Sequence, residues 1–243
     1  MAKSYHVYGI GAALVDTEIN VTDDDLNTIS IDFQTAGVDY HINKCQDEGI
    51  TGTCLVVITP DAERTLCTFL GINAIQSHDD IISEVIAASN YVYFEAYMIM
   101  SLPTFIAAKH LCEIIYRDRL CEILEKPIDL LFCNRNEAFS WSQTDQIDSA
   151  IEKLKLIAHT FVITLGAEGS LVYNGRKLYN ITPHKVHAGD SSTAGDMFAG
   201  AFLFGITHGQ DYFTAGNFAS VAAATVVSNN GSRLSAEKQK QLL

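Results

Sequence analysis

Positive charge is scarce in this chain. Lys and Arg together number 16 against 29 Asp and Glu, which leaves a formal net charge of −13. A chain this acidic has no electrostatic footprint for nucleic acid or for an anionic membrane surface. Any anionic ligand has to be held by local devices: backbone N–H groups, a metal and a few basic side chains. Long apolar runs are missing too. None reaches the length of a membrane span, and Met1 to Gly9 lacks the apolar core of a secretory signal, so a cytoplasmic location is expected. The 6 cysteines (Cys45, Cys54, Cys67, Cys112, Cys121 and Cys133) form no C-x-x-C pair, and the histidines do not cluster. That argues against a zinc site and against a secreted disulfide framework. Most of these cysteines are expected to be small buried hydrophobes. No repeat, low-complexity tract or linker rich in Gly, Ser or Pro interrupts the chain. No complete G-x-G-x-x-G follows the first predicted strand, which argues against a dinucleotide-binding dehydrogenase.

What is present is enough apolar material for a substantial core: 48% hydrophobic residues over 243 positions. That length suits one large domain, or one domain with a small appendage. Predicted strands alternate with predicted helices, which gives an α/β class with a mainly parallel sheet.

The most informative stretch is Ala188 to Phe202, AGDSSTAGDMFAGAF. It opens on small and polar residues and continues as an apolar helix-like run. Thr193, Ala194 and Gly195 are small enough for backbone N–H groups to crowd around one point. A helix starting near Gly195 offers its free N–H groups and its dipole as an anion site. Asp196 then falls in the first turn, where a carboxylate is favoured. An acid beside an anion hole can act as general base for a hydroxyl attacking a phosphoryl group. Taken alone, this stretch is better accounted for by an ordinary helix capped by Ser192 or Thr193.

Other motifs fall in order along the chain. His6 to Gly11 reads as a strand ending in a glycine turn, with Asp16 shortly after it; a carboxylate past a strand's C-terminal end is where open α/β sheets bind ligands. Thr51–Thr59 and Arg64–Gly71 read as two strands joined by a polar turn. Ile81–Ala88 is helical in period, Tyr91–Glu95 reads as a buried parallel strand, and Pro103–Tyr116 reads as a helix. Ile128–Ala138 is strand, turn and helix start, carrying Asn134-x-x-Glu137; that spacing also describes a capping pair. Thr160–Tyr173 is strand, glycine turn and strand, with Thr164-x-Gly166-x-x-Gly169 at its centre. Glycines there let backbone approach a ligand closely, though a generic turn uses the same residues. Asn174-Gly175 makes a hairpin turn, and Phe213–Val227 an alanine-rich buried helix.

Asp190 to Asp196, DSSTAGD, resembles the second signature of the ribokinase-like (PfkB-type) carbohydrate and nucleoside kinases. That signature is D-T-x-G/A-A-G-D before a small, apolar helix. The chain departs from it at Thr193, where the family prefers glycine or alanine. The opening G-x-G-x-x-x-V-D resembles adenosine-kinase-like members in particular, with Ala12 where asparagine or glutamate is usual. The resemblance implies a ribokinase-like three-layer sandwich with a mainly parallel central sheet and a small β lid. Residues 1–243 then form a single kinase domain, with lid elements around 33–71. The family's first signature, a Gly-Gly-rich segment, is missing before Ala36–Asp39. A strand–loop–helix unit is compressed near 116–128. The shortfalls near 32–35 and 116–128 are expected to be filled by segments that the expressed protein carries, the other option being genuine truncation.

The resemblance further implies transfer of the ATP γ-phosphoryl group to a primary alcohol of a sugar or nucleoside. In that scheme Asp196 is the base, with Thr193, Ala194 and Gly195 around the transferring group. Asp16 holds acceptor hydroxyls. Asn134, Thr164, Gly166 and Gly169 serve the nucleotide. Glu137 holds Mg2+ through water, and Asp190 joins the closing loop at Ser228–Arg233 around a monovalent cation such as K+. A monomer or a lid-mediated homodimer is expected. The alternative is a catalytically weak or inactive relative that binds a nucleoside or sugar.

Overall fold

The computed structural model describes residues 5–10, 14–15, 34, 37–40, 50–58, 64–75, 77, 80–95, 128–186, 193–228, 234, 238 and 241–242. The chain divides into two compact units, residues 1–57 with 65–124, and residues 58–64 with 125–243. Most of the shortfall near 32–35 and nearly all of that near 116–128 lie outside the described residues, as does the helix expected over Pro103–Tyr116.

In the first unit, β1 (Tyr5–Ile10) pairs in parallel with β5 (Ser89–Phe94), in a register running from Tyr5 opposite Ser89 to Ile10 opposite Phe94. The short helix α1 (Ser83–Ala87) leads into β5 and buries Ile86. The Ser89 hydroxyl ties the joint by donating to the Val85 carbonyl at 2.8 Å. A second sheet runs in the order β2 (Leu14–Val15), β3 (Thr51–Ile58), β4 (Arg64–Gly71), with β2 parallel to β3. The two expected strands on either side of the polar turn are therefore present.

Two expectations need correction here. β5 is parallel but not buried throughout, since Tyr91 is 37% exposed; among the described residues β5 has one hydrogen-bonded neighbour, β1. Cys54 is buried, but Cys67 is exposed. Its neighbours Thr68 and Phe69 are exposed as well, so both faces of this part of β4 meet solvent, and a cysteine there has no core to enter.

The second unit carries the larger described core. Its sheet runs in the order β6 (Ile128–Asn134), β7 (Ala158–Thr164), β8 (Ser170–Tyr173), β9 (Leu178–Ile181). β6 and β7 are parallel, and β8 and β9 extend the sheet as an antiparallel meander. The meander turns at Asn174-Gly175. There Gly175 takes a φ of +87°, and the Asn174 side chain accepts the N–H groups of Arg176 and Lys177 at 3.0 and 2.8 Å.

Strand alternation sorts this sheet's side chains onto two faces. On one, Phe161 and Ile163, with Leu131, Cys133 and Leu171, pack against Ala138 of α2 (Arg135–Ser142) and Ile151 and Leu154 of α3 (Ile147–Leu154). On the other, Val162, Val172 and Ile181, with Leu130 and Phe132, pack against α4 (Ala194–Thr207) and α5 (Tyr212–Val227). The result is a helix–sheet–helix sandwich. Phe202 centres the second core, edge-on to Phe132 at 5.7 Å and to Tyr212 at 5.3 Å between ring centroids. Small residues bring α5 close to the strands: a Cβ on Gly216 would stand 3.0 Å from Ile181 Cδ1 and 3.2 Å from Val172 Cγ2.

Candidate functional site

Register brings several candidate residues to one edge of the second unit. Asn134 at the end of β6 stands opposite Thr164 at the end of β7, and Thr164 stands opposite Ser170 at the start of β8. Between Thr164 and Ser170 the chain makes a single 3-10 turn, Gly166–Glu168. Gly166 has φ +60° and Gly169 φ +97°, so both need glycine's conformational freedom. Their surroundings differ. Among the described residues, a Cβ at Gly166 would meet nothing within 4 Å, whereas one at Gly169 would lie 2.1 Å from the Ile181 carbonyl oxygen and 3.0 Å from Pro183 Cδ. Gly166 thus has no described neighbour at that position, while Gly169 is packed against its own protein.

The contacts of α5 fix which end of α4 reaches this edge. The Tyr212 hydroxyl donates to Thr160 Oγ1 at 3.3 Å, one end of β7. Gly216 lies against Val172 and Ile181. Ser220 reaches Thr182 and His184, beyond the row formed by Thr164, Ser170 and Ile181. So α5 runs in the direction of β7. The end of α4 packs on the start of α5, because a Cβ at Gly205 would stand 2.9 Å from Ala215 Cβ. With only residues 208–211 joining the two helices, α4 returns in the opposite sense, and its first turn faces the edge occupied by Asn134, Thr164 and the glycine turn.

At that first turn Thr193 holds the N-cap position without a side-chain cap bond, and Asp196 is the acid in the first turn. The helix ladder begins with the Met197 N–H donating to the Thr193 carbonyl at 2.9 Å. The N–H groups of Ala194 and Gly195 therefore precede the ladder, where a helix has no acceptor of its own to offer them. Among the described residues, a Cβ at Gly195 would meet nothing within 4 Å. The Thr193 version of the capped helix is thus not formed, and Ser192 lies outside the described residues. Thr193 adopts φ −114° and ψ 11°, a backbone conformation with negative φ that a β-branched residue enters without the penalty of the left-handed region.

Asn134 and Glu137 form the capping pair that their spacing also allowed. The Asn134 side chain accepts the Glu137 N–H at 2.9 Å, and Glu137 Oε2 accepts the Asn134 N–H at 2.7 Å. Glu137 is exposed, and an ionised carboxylate has lone pairs to spare beyond one hydrogen bond, so capping leaves it able to hold a metal-bound water. Among the described residues no three His, Cys, Asp or Glu side chains gather as direct ligands to a metal ion.

Arg135 and Glu168 join the start of α2 to the glycine turn, with Nη1 to Oε1 at 2.8 Å. The hydrogen bond raises the Arg135 pKa and lowers that of Glu168. Beneath them, burial, with the Glu137 charge as a lesser cause, pushes the Cys133 thiol up to about 12. Sequence reasoning gave no role to Arg135, Pro183 or Ser220. Their contacts are made across the tertiary fold, and no local pattern marks them. Asp16 and Asp190 lie outside the described residues.

A helix–sheet–helix unit with a glycine turn and the start of α4 directed toward one sheet edge defines an α/β protein. The chain belongs to the pfkB family of carbohydrate kinases, whose model matches residues 23–239. A ribokinase of Staphylococcus aureus (strain COL) is 25% identical over 230 residues, an alignment that covers 88% of this chain and 76% of the relative. The adenosine kinase of Sinorhizobium meliloti superposes with a TM-score of 0.81 at 24% identity, over 97% of this chain and 77% of its own. An Escherichia coli structure holding ATP and Mg2+ superposes with a TM-score of 0.74 at 16% identity, over 92% of this chain and 78% of its own. The fold is ribokinase-like. No helix among the described residues is long and apolar enough to cross a membrane.

Proposed function

We propose that this chain transfers the γ-phosphoryl group of ATP to a primary alcohol of a sugar or nucleoside. One observation carries the reading. The first turn of α4 has no side-chain cap from Thr193 and contains Asp196, and the direction of α4 carries it toward the sheet edge that holds Gly166, where a Cβ would meet none of the described residues within 4 Å. In this proposal Asp196 takes the proton of the acceptor hydroxyl. The hydroxyl oxygen bonds to the γ-phosphorus, the bond from that phosphorus to the β–γ bridging oxygen breaks, and ADP leaves. The N–H groups of Ala194 and Gly195 meet the charge on the transferring group, a role that fixed amide dipoles perform without reorganising. Thr193 shapes the same turn.

Asn134, Thr164, Gly166 and Gly169 serve the nucleotide, with the space over Gly166 allowing close backbone approach. Glu137 is assigned to Mg2+ through water, and the bound ion would neutralise phosphate charge. Asp16 is assigned to acceptor hydroxyls and Asp190 to a monovalent-cation loop. The family match runs across both compact units, which supports one kinase domain spanning them.

A second reading, a catalytically weak relative that binds a sugar or nucleoside, draws on Thr193, Ala12 and the missing first signature. A Mg2+-dependent ATP-consumption assay over a panel of sugars and nucleosides separates the two. The kinase reading expects ADP and a phosphorylated acceptor in equal amounts. A panel member that binds by calorimetry while no ADP forms with any member would overturn it.

A further inference from the structure

We infer that Ser220 is a positioning residue for the glycine turn of the nucleotide site, acting through Pro183. The inference rests on the proposed role of that turn. Ser220 lies on α5 one helical turn after Gly216, which packs on Val172 and Ile181. The same helix face therefore follows β9 past its end. There the Ser220 hydroxyl makes two bonds to backbone: it donates to the Thr182 carbonyl and accepts the His184 N–H, both at 3.3 Å. These residues flank Pro183. Proline has no N–H of its own and a fixed φ, so bonds on either side of it hold its ring in place.

The ring sits where it matters. Pro183 Cδ and N both lie 3.0 Å from the point a Cβ on Gly169 would occupy. Gly169 closes the 3-10 turn, with its N–H donating to the Gly166 carbonyl at 3.1 Å and its carbonyl accepting the Leu165 N–H at 2.8 Å. A short path thus runs from Ser220 through Pro183 and Gly169 to the open backbone at Gly166. Without the two bonds the Thr182–His184 segment has freedom to move away from Gly169, and the turn samples conformations in which its backbone is not presented to a nucleotide. Each such conformation weakens binding by lowering the competent fraction.

The test compares Ser220→Ala, Ser220→Thr and Gly166→Val in steady-state kinetics with MgATP and the best acceptor. Ser220→Ala is compatible with folding, since Ala is the best helix former. It is expected to raise the KM for ATP about three- to tenfold, the size set by losing one or two ordinary hydrogen bonds. Turnover at saturation and the acceptor KM should stay near the parent values. Ser220→Thr keeps the hydroxyl and should restore the parent ATP KM. A parent-like ATP KM in Ser220→Ala, while Gly166→Val raises it, overturns this inference and leaves the nucleotide turn standing. A parent-like ATP KM in both variants overturns the role of the turn itself. Equal rises in the ATP and acceptor KM values, tracking a fall in Tm, would mean that Ser220 only stabilises the fold.

Discussion

Proton removal from an alcohol by a positioned base contributes ~10²–10⁴-fold to rate. Asp196→Asn keeps the size of the side chain and some capping ability but loses the basic carboxylate. If Asp196 is the base, kcat falls by about that range while ATP affinity and Tm change little. A residue that only favours the helix start gives near-normal turnover and a modest loss of stability. Asp190→Asn is the control, because its assigned place is the cation loop. The two glycines of the turn make a second contrast at this scale. Gly169→Ala forces a Cβ against the Ile181 carbonyl oxygen at 2.1 Å, in a backbone conformation (φ 97°, ψ −136°) that suits glycine. Strain and overpacking together should cost roughly 2–5 kcal/mol, read by urea denaturation. Gly166→Ala meets none of the described residues within 4 Å and should cost only about 1–2 kcal/mol of left-handed strain. Equal losses would show that the packing around Gly169 relaxes freely. Thiol chemistry follows the same local logic. Cys133, with its pKa pushed up to about 12 by burial, should resist alkylation at neutral pH, whereas the exposed Cys67 should label, as peptide mapping would report.

Helix ends carry the predictions at the next scale. Asp211 caps α5, its Oδ1 accepting the Thr214 N–H at 2.7 Å. That backbone bond holds the Asp211 pKa below the usual carboxylate value. A carboxyl depressed in the folded state stabilises it above the unfolded pKa, and the contribution is lost as pH falls through the folded pKa. Asp211→Asn retains a capping oxygen but not the titration, so the difference in Tm between parent and variant should shrink as the solution is acidified. A difference that stays constant with pH would exclude the cap as its source.

Element starts and ends were largely legible in the sequence because they depend on neighbours in the chain. The Asn174-Gly175 turn, the glycine turn after Thr164 and the helix beginning at Ala194 all formed where local chemistry put them. Asn134-x-x-Glu137 carried two meanings in sequence, and the cap is the one with visible hydrogen bonds. What could not be read was the outcome of three-dimensional packing. Tyr91 and Cys67 sit in apolar strands that reach solvent. The Pro183–Gly169 contact joins residues that approach only when β9 folds beside β8, and Ser220 comes from a helix two elements later.

On the scale of the whole molecule, the net charge of −13 and a pI near 4.9 set a repulsive field for a polyanionic nucleotide. Lowering salt from 0.15 to 0.01 M stretches the Debye length from about 8 to about 30 Å, so the full charge of the chain then reaches an approaching ligand. The contacts proposed for the phosphates are backbone N–H groups of α4 and of the glycine turn, which carry no net charge and lie too close for salt to screen. The one ion pair described at this edge, Arg135 with Glu168, is internally neutral. Repulsion at long range and unscreened attraction at contact together fix a sign. The KM for MgATP should fall as ionic strength rises from 0.01 to 0.15 M, the opposite of a site built from exposed Lys and Arg. Ionic strength should be varied with choline chloride at constant Mg2+ and K+, so that the assigned cation loop stays equally filled. A KM that climbs with salt would mean that mobile basic side chains, and not the amides at Ala194 and Gly195, hold the transferring phosphate.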